Sequence, residues 1–329
     1  MIAATFGTAA QLAAPARATA TKGPVPLNQL RDIALPGDAT RFDYQSADPA
    51  NRHLYIAHLG DSTVDVINLD TLQVVATIPH IADVHGVIAA PDLGRVFATA
   101  TGSNELVTID ETTNREVTRT PTGAFPDGVA YDPHDKLVFV SNKDGGSLTV
   151  VDATTGHAAG TIKLANEVGN VIYDPTSHQI YAATRPSEQL AVIDPVTRQV
   201  DARIRLSGCD GAHGVYVNTM TRQAFIACEN NARLVTVDLT HHQQIANTSI
   251  ARNPDVLAYD PGLHRLYVAS ESGTLSVFTT TTRAPRKLSE NRLANAAHTV
   301  AVDTLTHRVF FPLENLNGHP VLRIMQPSK

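Results

Sequence analysis

The feature that most constrains this chain is a sequence unit that recurs about every 42 residues along almost its whole length. One aligned position, here called the ring position, occurs seven times with successive spacings of 42, 42, 42, 44, 42 and 43 residues. The residues at the ring position are Asp43, His85, Asp127, Gly169, His213, Asp255 and His298. A period of this length is typical of four-stranded propeller blades. The repeat therefore predicts one domain of seven similar blades.

Each unit contains four short runs of alternating or β-branched residues, separated by turn residues. In the third unit these runs are DGVAYDP, KLVFVSN, SLTVVD and HAAGTIKL. Asp-Pro ends several first runs, because proline presets φ for a turn and Asp accepts bonds from the following amides. An Asp near the end of the third run is expected to form the next turn in five units, namely Asp70, Asp110, Asp152, Asp194 and Asp238. We expect an all-β, seven-bladed propeller.

The two ends of the chain complement each other. After His298 the last unit supplies only three strands, whereas residues 27–35, LNQLRDIAL, resemble an outermost strand that precedes the first unit. Pairing this segment with the last unit would close the ring and leave no open sheet edge between the first and last blades.

The N-terminal residues and the two cysteines indicate the compartment. Residues 1–20 are rich in alanine, lack acidic residues and end in Ala-Thr-Ala, which has the form of an export cleavage site. An Ala-rich tail is the alternative, and in either case residues 21–329 form the propeller. Cys209 precedes the first strand of blade five and Cys228 ends the next, so antiparallel pairing predicts a disulfide. Together these features predict a periplasmic or secreted protein; two free thiols in a reducing cytoplasm are the alternative.

The second and third strands of the units carry a family signature. The runs LYIAH, VFVSN, IYAAT, AFIAC and LYVAS, followed by VTID, TVVD and AVID, resemble the YVTN-repeat (YncE-like) propellers over residues 27–327. The resemblance implies the seven-bladed fold. It does not imply one activity, because related propellers bind ligands, proteins or nucleic acid, and propellers of other families include enzymes.

Composition and motifs disfavour several functions. The net charge of −6 and the pI near 6.1 disfavour nucleic acid and anionic lipid as partners. Beyond residue 20 no apolar run is long enough to cross a membrane. The chain has no G-x-S-x-G, P-loop, H-E-x-x-H or C-x-x-C motif. It also lacks tryptophan, on which a quinone cofactor often stacks.

Acidic and imidazole residues nearly alternate at the ring position, which should lie around one mouth of the central channel. His85, His213 and His298 are candidate ligands of a divalent transition metal, since imidazole and carboxylate suit such ions. The candidate ligand-binding residues on the same face are Arg41, Asp43, His58, Asp127, Asn142, Arg185, Glu229 and Asp255.

Each candidate also has a structural interpretation. The ring residues could bond to one another and plug the channel, His58 could cap its loop, and Arg41 could form an ion pair within blade one. The histidines at the first turns, His53, His134, His178, His264 and His307, are interpreted as solvated turn residues.

These observations favour an exported, monomeric binding protein that takes a small molecule or a protein partner at the His/Asp-lined mouth. The alternative is a metal-dependent lyase or hydrolase that uses the same residues.

Overall fold

A computed structural model describes residues 27–164 and 166–328, and the predicted leader at residues 1–20 lies outside this part of the chain. The described residues form seven four-stranded antiparallel sheets. Each sheet is one blade, and the seven blades surround a central channel. The predicted all-β, seven-bladed propeller is confirmed.

Four circles of strands make up the blades, and every blade contributes one strand to each circle. The innermost strands are β2 (Gln45–Asp48), β6 (Val84–Ala90), β10 (Pro126–Asp132), β14 (Glu167–Asp174), β18 (Ala212–Asn218), β22 (Pro254–Asp260) and β26 (Ala301–Asp303). The second strands are β3 (His53–His58), β7 (Arg95–Ala100), β11 (Leu137–Asn142), β15 (Gln179–Arg185), β19 (Gln223–Cys228), β23 (Arg265–Ser270) and β27 (Arg308–Leu316).

The outer two circles complete the sheets, and single 3-10 turns follow β3 and β7 at Leu59–Asp61 and Thr101–Ser103. The third strands are β4 (Thr63–Asn68), β8 (Glu105–Asp110), β12 (Ser147–Asp152), β16 (Gln189–Ile193), β20 (Arg233–Asp238), β24 (Thr274–Thr279) and β28 (His319–Pro327). The outermost strands are β1 (Leu27–Ala34), β5 (Gln73–Ile78), β9 (Arg115–Pro121), β13 (Ala158–Lys163), β17 (Val200–Arg205), β21 (Gln243–Ser249) and β25 (Arg286–Arg292).

The ring closes as the sequence predicts. β1 pairs antiparallel with β28, from Leu27 opposite Pro327 to Ala34 opposite Val321, so the last blade is completed by the start of the described chain. Arg323 of β28 also donates two hydrogen bonds to Asp32 of β1. The apolar core lies between adjacent blades, where fully buried side chains such as Tyr55, Tyr181 and Tyr267 pack.

The turns between first and second strands confirm the role of the Asp-Pro pairs. The Asp48 carboxylate accepts hydrogen bonds from the amides of Ala50 and Asn51, and Asp132 does the same for the two amides after its proline. The prediction for Asp70 is wrong, because Asn68 accepts the turn amides in blade one. Asp70 instead pairs with Arg52.

The same turns carry charged contacts from blade to blade, which we call the interblade belt. The residue nine positions after each ring position has a left-handed backbone conformation in all seven blades. In six of the seven blades this residue is Arg, Lys or His. The side chain there reaches the buried turn carboxylate of the preceding blade in four pairs, Arg52–Asp303, His178–Asp132, Arg222–Asp174 and His307–Asp260. The interpretation of His178 and His307 as solvated turn residues is therefore wrong.

Candidate functional site

The ring residues surround the channel mouth opposite the belt, and a repeated backbone distortion places them there. In blade two Val84 pairs with Ala100 and Val87 with Ala98, so His85 and Gly86 together oppose one residue of β7. The same β-bulge occurs at the ring positions of blades three to six. Bulges of this kind bend a strand and re-aim its side chains, and they are frequent next to functional sites.

The residue after the ring position must often be glycine, because neighbouring blades approach closely there. A Cβ at Gly86 would lie 2.3 Å from the carbonyl oxygen of Asp127, and one at Gly214 would lie 1.9 Å from that of Asp255. Blade one has Tyr44 at this position.

The Tyr44 side chain crosses the channel. Its hydroxyl lies 3.2 Å from Nε2 of His213 in blade five, on the far side of the ring. Tyr44 also lines a cavity of about 370 Å³ between the innermost strands, with Val87, Val129 and Val171 among its walls. The phenol thus lies between the charged mouth and a cavity of mixed apolar and polar lining. Sequence reasoning missed Tyr44, although a large residue at a position that is glycine in three other blades was a signal.

Two ring histidines are oriented by the same local backbone conformation. The residue two positions before each is left-handed, with φ of 47° at Asp83 and 50° at Ala296. This conformation turns their carbonyl oxygens to within 2.8 Å of Nδ1 of His85 and His298. Because a carbonyl can only accept, Nδ1 carries the proton, and the lone pair of the neutral ring is on Nε2. In His298 this Nε2 is buried and has no hydrogen-bond partner in the structure.

Carboxylates crowd the mouth. Burial raises the pKa of Asp43 well above its ordinary value, and the Asp255 and Asp127 carboxylates raise it further against the opposing effect of Arg41. Burial also raises the pKa of Glu314 at the rim. Asp127 makes no hydrogen bond or ion pair through its carboxylate among the described residues.

His213 and Asp255 form an internal pair, with Nε2 and Oδ1 3.3 Å apart. Burial alone would lower the pKa of His213, but contact with Asp255 outweighs burial and raises it. Burial would likewise raise the pKa of Asp255, yet His213, His298 and Arg41 bring it to about 2. Contact with Asp255 therefore stabilises the protonated form of His213, which donates hydrogen bonds and does not ligate a metal.

The predicted metal ligands do not converge. His85 lies 3.9 Å from Asp43, His213 pairs with Asp255, and His298 lies 3.6 Å from Glu271. The set in the mouth whose ligand atoms do lie within 4.8 Å of one another is Asp255, Glu271 and His298. Glu271, from the loop after β23, joins blade six to blade one through a 2.7 Å contact with Arg41.

Four of the predicted ligand-binding residues make contacts within the loops and do not face the mouth. His58 is fully buried, stacks on Phe42 at 4.0 Å and lies 3.0 Å from the Thr40 hydroxyl. Asn142 is also buried and bonds Gly123, Ser147 and Thr149.

Arg185 and Glu229, the other two, come together as an ion pair of 2.6 Å, and Arg185 also donates to the Ala212 carbonyl. These contacts shape the loops around the mouth. The residues that face it from the predicted set are Arg41, Asp43, Asp127 and Asp255.

The predicted disulfide is present. Cys209 and Cys228 are bonded, with their Cα atoms 5.4 Å apart. The bond fixes the loop that leads into β18 and hence the backbone that carries His213 to the mouth.

Comparison with solved structures identifies the fold alone. A chain of hydrazine synthase from Kuenenia stuttgartiensis aligns with a TM-score of 0.74 and 14% identity, over 94% of this chain and 99% of that one. A chain of a mitotic checkpoint complex aligns with a TM-score of 0.76 and 11% identity, over 99% of each. No protein-family profile and no curated protein sequence matches this chain. Within the described residues, no helix is long and apolar enough to span a membrane.

Proposed function

We propose that this protein is an exported binding propeller of the YVTN-repeat type, and that it takes a small, positively charged ligand at the polar mouth. The observation that carries this proposal is the set of three buried ring carboxylates: Asp43 lies 3.8 Å from Arg41 and Asp255 pairs with His213, but the Asp127 carboxylate has no partner among the described residues. Burying like charges together is costly unless a cation accompanies them.

The polar atoms of the mouth also favour binding over a plug. A plug would satisfy its own hydrogen bonds, because buried polar groups in folded proteins nearly always have partners. Here Nδ1 of His213 and Nε2 of His298 are both buried without one. Nε2 of His298 offers an acceptor to a ligand that enters the mouth, and Nδ1 of a protonated His213 offers a donor.

A metal-dependent lyase or hydrolase is the second candidate, and one observation favours it. Asp255, Glu271 and His298 bring an imidazole and two carboxylates together, although the 3.6 Å contact of His298 with Glu271 is through Nδ1, and the lone pair of the neutral ring is on Nε2. A transition metal held by these residues would supply Lewis-acid activation of a carbonyl or of water.

The export proposal is supported by the disulfide, because such bonds persist in oxidising compartments. Peptide mapping of protein recovered from periplasmic and culture fractions, without reduction, tests it. Recovery of the chain only from the cytoplasm, with both thiols free, would contradict export.

Calorimetric titration tests the ligand class. The probes are 1,4-diaminobutane and tetramethylammonium as organic cations, acetate as an anion, and Zn²⁺ as the metal. We expect an organic cation to bind the native protein and to bind Asp127→Asn at least about tenfold more weakly, since a charge contact is worth about 1.5–3 kcal/mol.

The matched control is Asp152→Asn, which changes a turn carboxylate on the opposite face and should leave binding unchanged. Failure of both organic cations to bind, or equal binding by Asp127→Asn, would overturn the first proposal. Binding of Zn²⁺ that is lost in His298→Asn would favour the metal-dependent candidate.

A further inference from the structure

A second group of imidazoles and carboxylates lies on the belt face, between blades three and four. It consists of His134 and Asp135 from the turn after β10 and His178 from the turn after β14. One ligand atom from each lies within 4.8 Å of the others. We propose that these three residues, with Asp132, bind a zinc ion that joins blade three to blade four.

The ligand atoms of the group already contact one another. Nδ1 of His134 lies 2.8 Å from one Asp135 oxygen, and Nε2 of His178 lies 2.9 Å from the other. The two imidazole rings are 4.5 Å apart, centre to centre. Two imidazoles that share one carboxylate can reach a common ion with small side-chain rotations, because zinc takes nitrogen and oxygen ligands at about 2.0–2.2 Å.

Asp132 supplies an independent observation that points to a cation. It is fully buried, and its Oδ1 accepts the turn amides of His134 and Asp135. Its Oδ2 is buried, makes no short hydrogen bond and lies 3.4 Å from Nε2 of His178; the Tyr173 hydroxyl also interacts with this carboxylate. A buried carboxylate oxygen of this kind is costly unless a cation or a donor meets it.

The buried carboxylates elsewhere in the belt have closer basic partners than Asp132. Asp303 accepts two hydrogen bonds from the guanidinium group of Arg52. Asp260 lies 2.8 Å from Nδ1 of His307. At the boundary between blades three and four, His178 instead makes its shorter contact with Asp135. Asp132 therefore has a more distant partner than Asp303 or Asp260, because His178 lies 3.4 Å from it and is shared with Asp135.

The ligand set selects the ion. Imidazole with carboxylate suits zinc and similar divalent ions, whereas magnesium and calcium prefer oxygen ligands throughout. Bound zinc would tie two blades together, so its effect should be on stability and should not depend on the residues of the mouth.

The experiment uses untagged protein stripped with a chelator, titrated with Zn²⁺ in a calorimeter and followed by thermal unfolding. His134→Ala is the test variant, because this side chain is 70% exposed and its ion pair is with the adjacent Asp135. His241→Ala is the matched control, since that side chain is 69% exposed and also contacts a turn carboxylate, but it lies outside the group. His298→Asn removes the imidazole of the mouth.

We expect one Zn²⁺ to bind the native protein, His241→Ala and His298→Asn, and to raise the unfolding temperature of all three. In His134→Ala the affinity should fall by about tenfold or more, as even outer partners of a metal site contribute 10–100-fold. Equal Zn²⁺ affinity in His134→Ala and the native protein would overturn the proposal, as would a native protein that binds no Zn²⁺. Loss of Zn²⁺ binding in His298→Asn alone would place the metal in the mouth instead.

Discussion

The interblade belt and the polar mouth are built from the same residue types, but they differ in how their charges are satisfied. In the belt Arg52 donates two hydrogen bonds to the buried Asp303, and His307 contacts Asp260 at 2.8 Å. In the mouth the buried carboxylate of Asp43 lies 3.8 Å from Arg41 and 3.9 Å from His85. Paired charges in a repeated pattern stabilise the fold, whereas crowded like charges with open acceptors indicate a place for a ligand.

Among changes near the mouth, removal of the disulfide should lower the free energy of unfolding the most. It closes a loop across a sequence separation of 19 residues, next to His213. Replacing both cysteines with serine should lower the free energy of unfolding by about 3 kcal/mol in the chain-entropy account. Urea unfolding of the double variant measures this, and native protein unfolded with a reductant should give the same loss. A loss below about 0.5 kcal/mol, the range of ordinary surface changes, would contradict the prediction.

Removing one ion pair of the interblade belt should lower the free energy of unfolding by nearly as much. Arg52→Ala leaves the fully buried Asp303 without its guanidinium partner. We expect a loss of about 2–3 kcal/mol in urea unfolding at neutral pH, because hydrogen bonds to charged groups contribute about 1.5–3 kcal/mol. Arg95→Ala is the control: its pair with Asp110 is partly exposed and should contribute at most about 1 kcal/mol.

The effect of Arg52→Ala should depend on pH in a defined direction. Burial alone would raise the pKa of Asp303, but hydrogen bonds from Arg52 and Thr306 outweigh burial and lower it. A lowered folded pKa gives stability that is complete above the unfolded value, near 3.9, and is lost as pH falls through the folded value. The difference between Arg52→Ala and the native protein should therefore shrink in acid. A difference that is constant with pH would show that Arg52 acts through packing instead.

The sequence predicted the fold because each blade repeats local signals that need no knowledge of the other blades. The Asp-Pro turns, the alternating runs and the 42-residue spacing all point to the same architecture, and the three-strand final unit predicted closure by β1. The disulfide followed from antiparallel pairing within one blade.

The site was harder to predict because its contacts join distant blades. Tyr44 reaches His213 across the channel, over 169 residues of sequence, and Arg41 reaches Glu271 over 230. The belt carried a signal that was missed: Arg52, Lys136, His178, Arg222, His264 and His307 recur at one repeat position. The recurrence of a basic residue at the same position in six blades indicated a shared contact between blades. A turn that only faces solvent would not need a basic residue at one fixed position.

The most direct test of the difference between belt and mouth compares Asp303→Asn with Asp43→Asn in urea unfolding over a range of pH. At neutral pH Asp303→Asn should lose at least about 1.5 kcal/mol, because it removes a charged hydrogen-bond acceptor of Arg52. Asp43→Asn should instead gain more than about 0.5 kcal/mol, beyond the range of ordinary surface changes.

The reason for the gain is that a carboxyl whose folded pKa is raised destabilises the fold once pH exceeds the unfolded value, near 3.9. The advantage of Asp43→Asn should be absent below that pH and grow as pH rises toward the folded value. Opposite signs for the two variants at neutral pH are the predicted result. A loss of stability in Asp43→Asn like that in Asp303→Asn would show that the mouth is held together as the belt is, and would contradict the account.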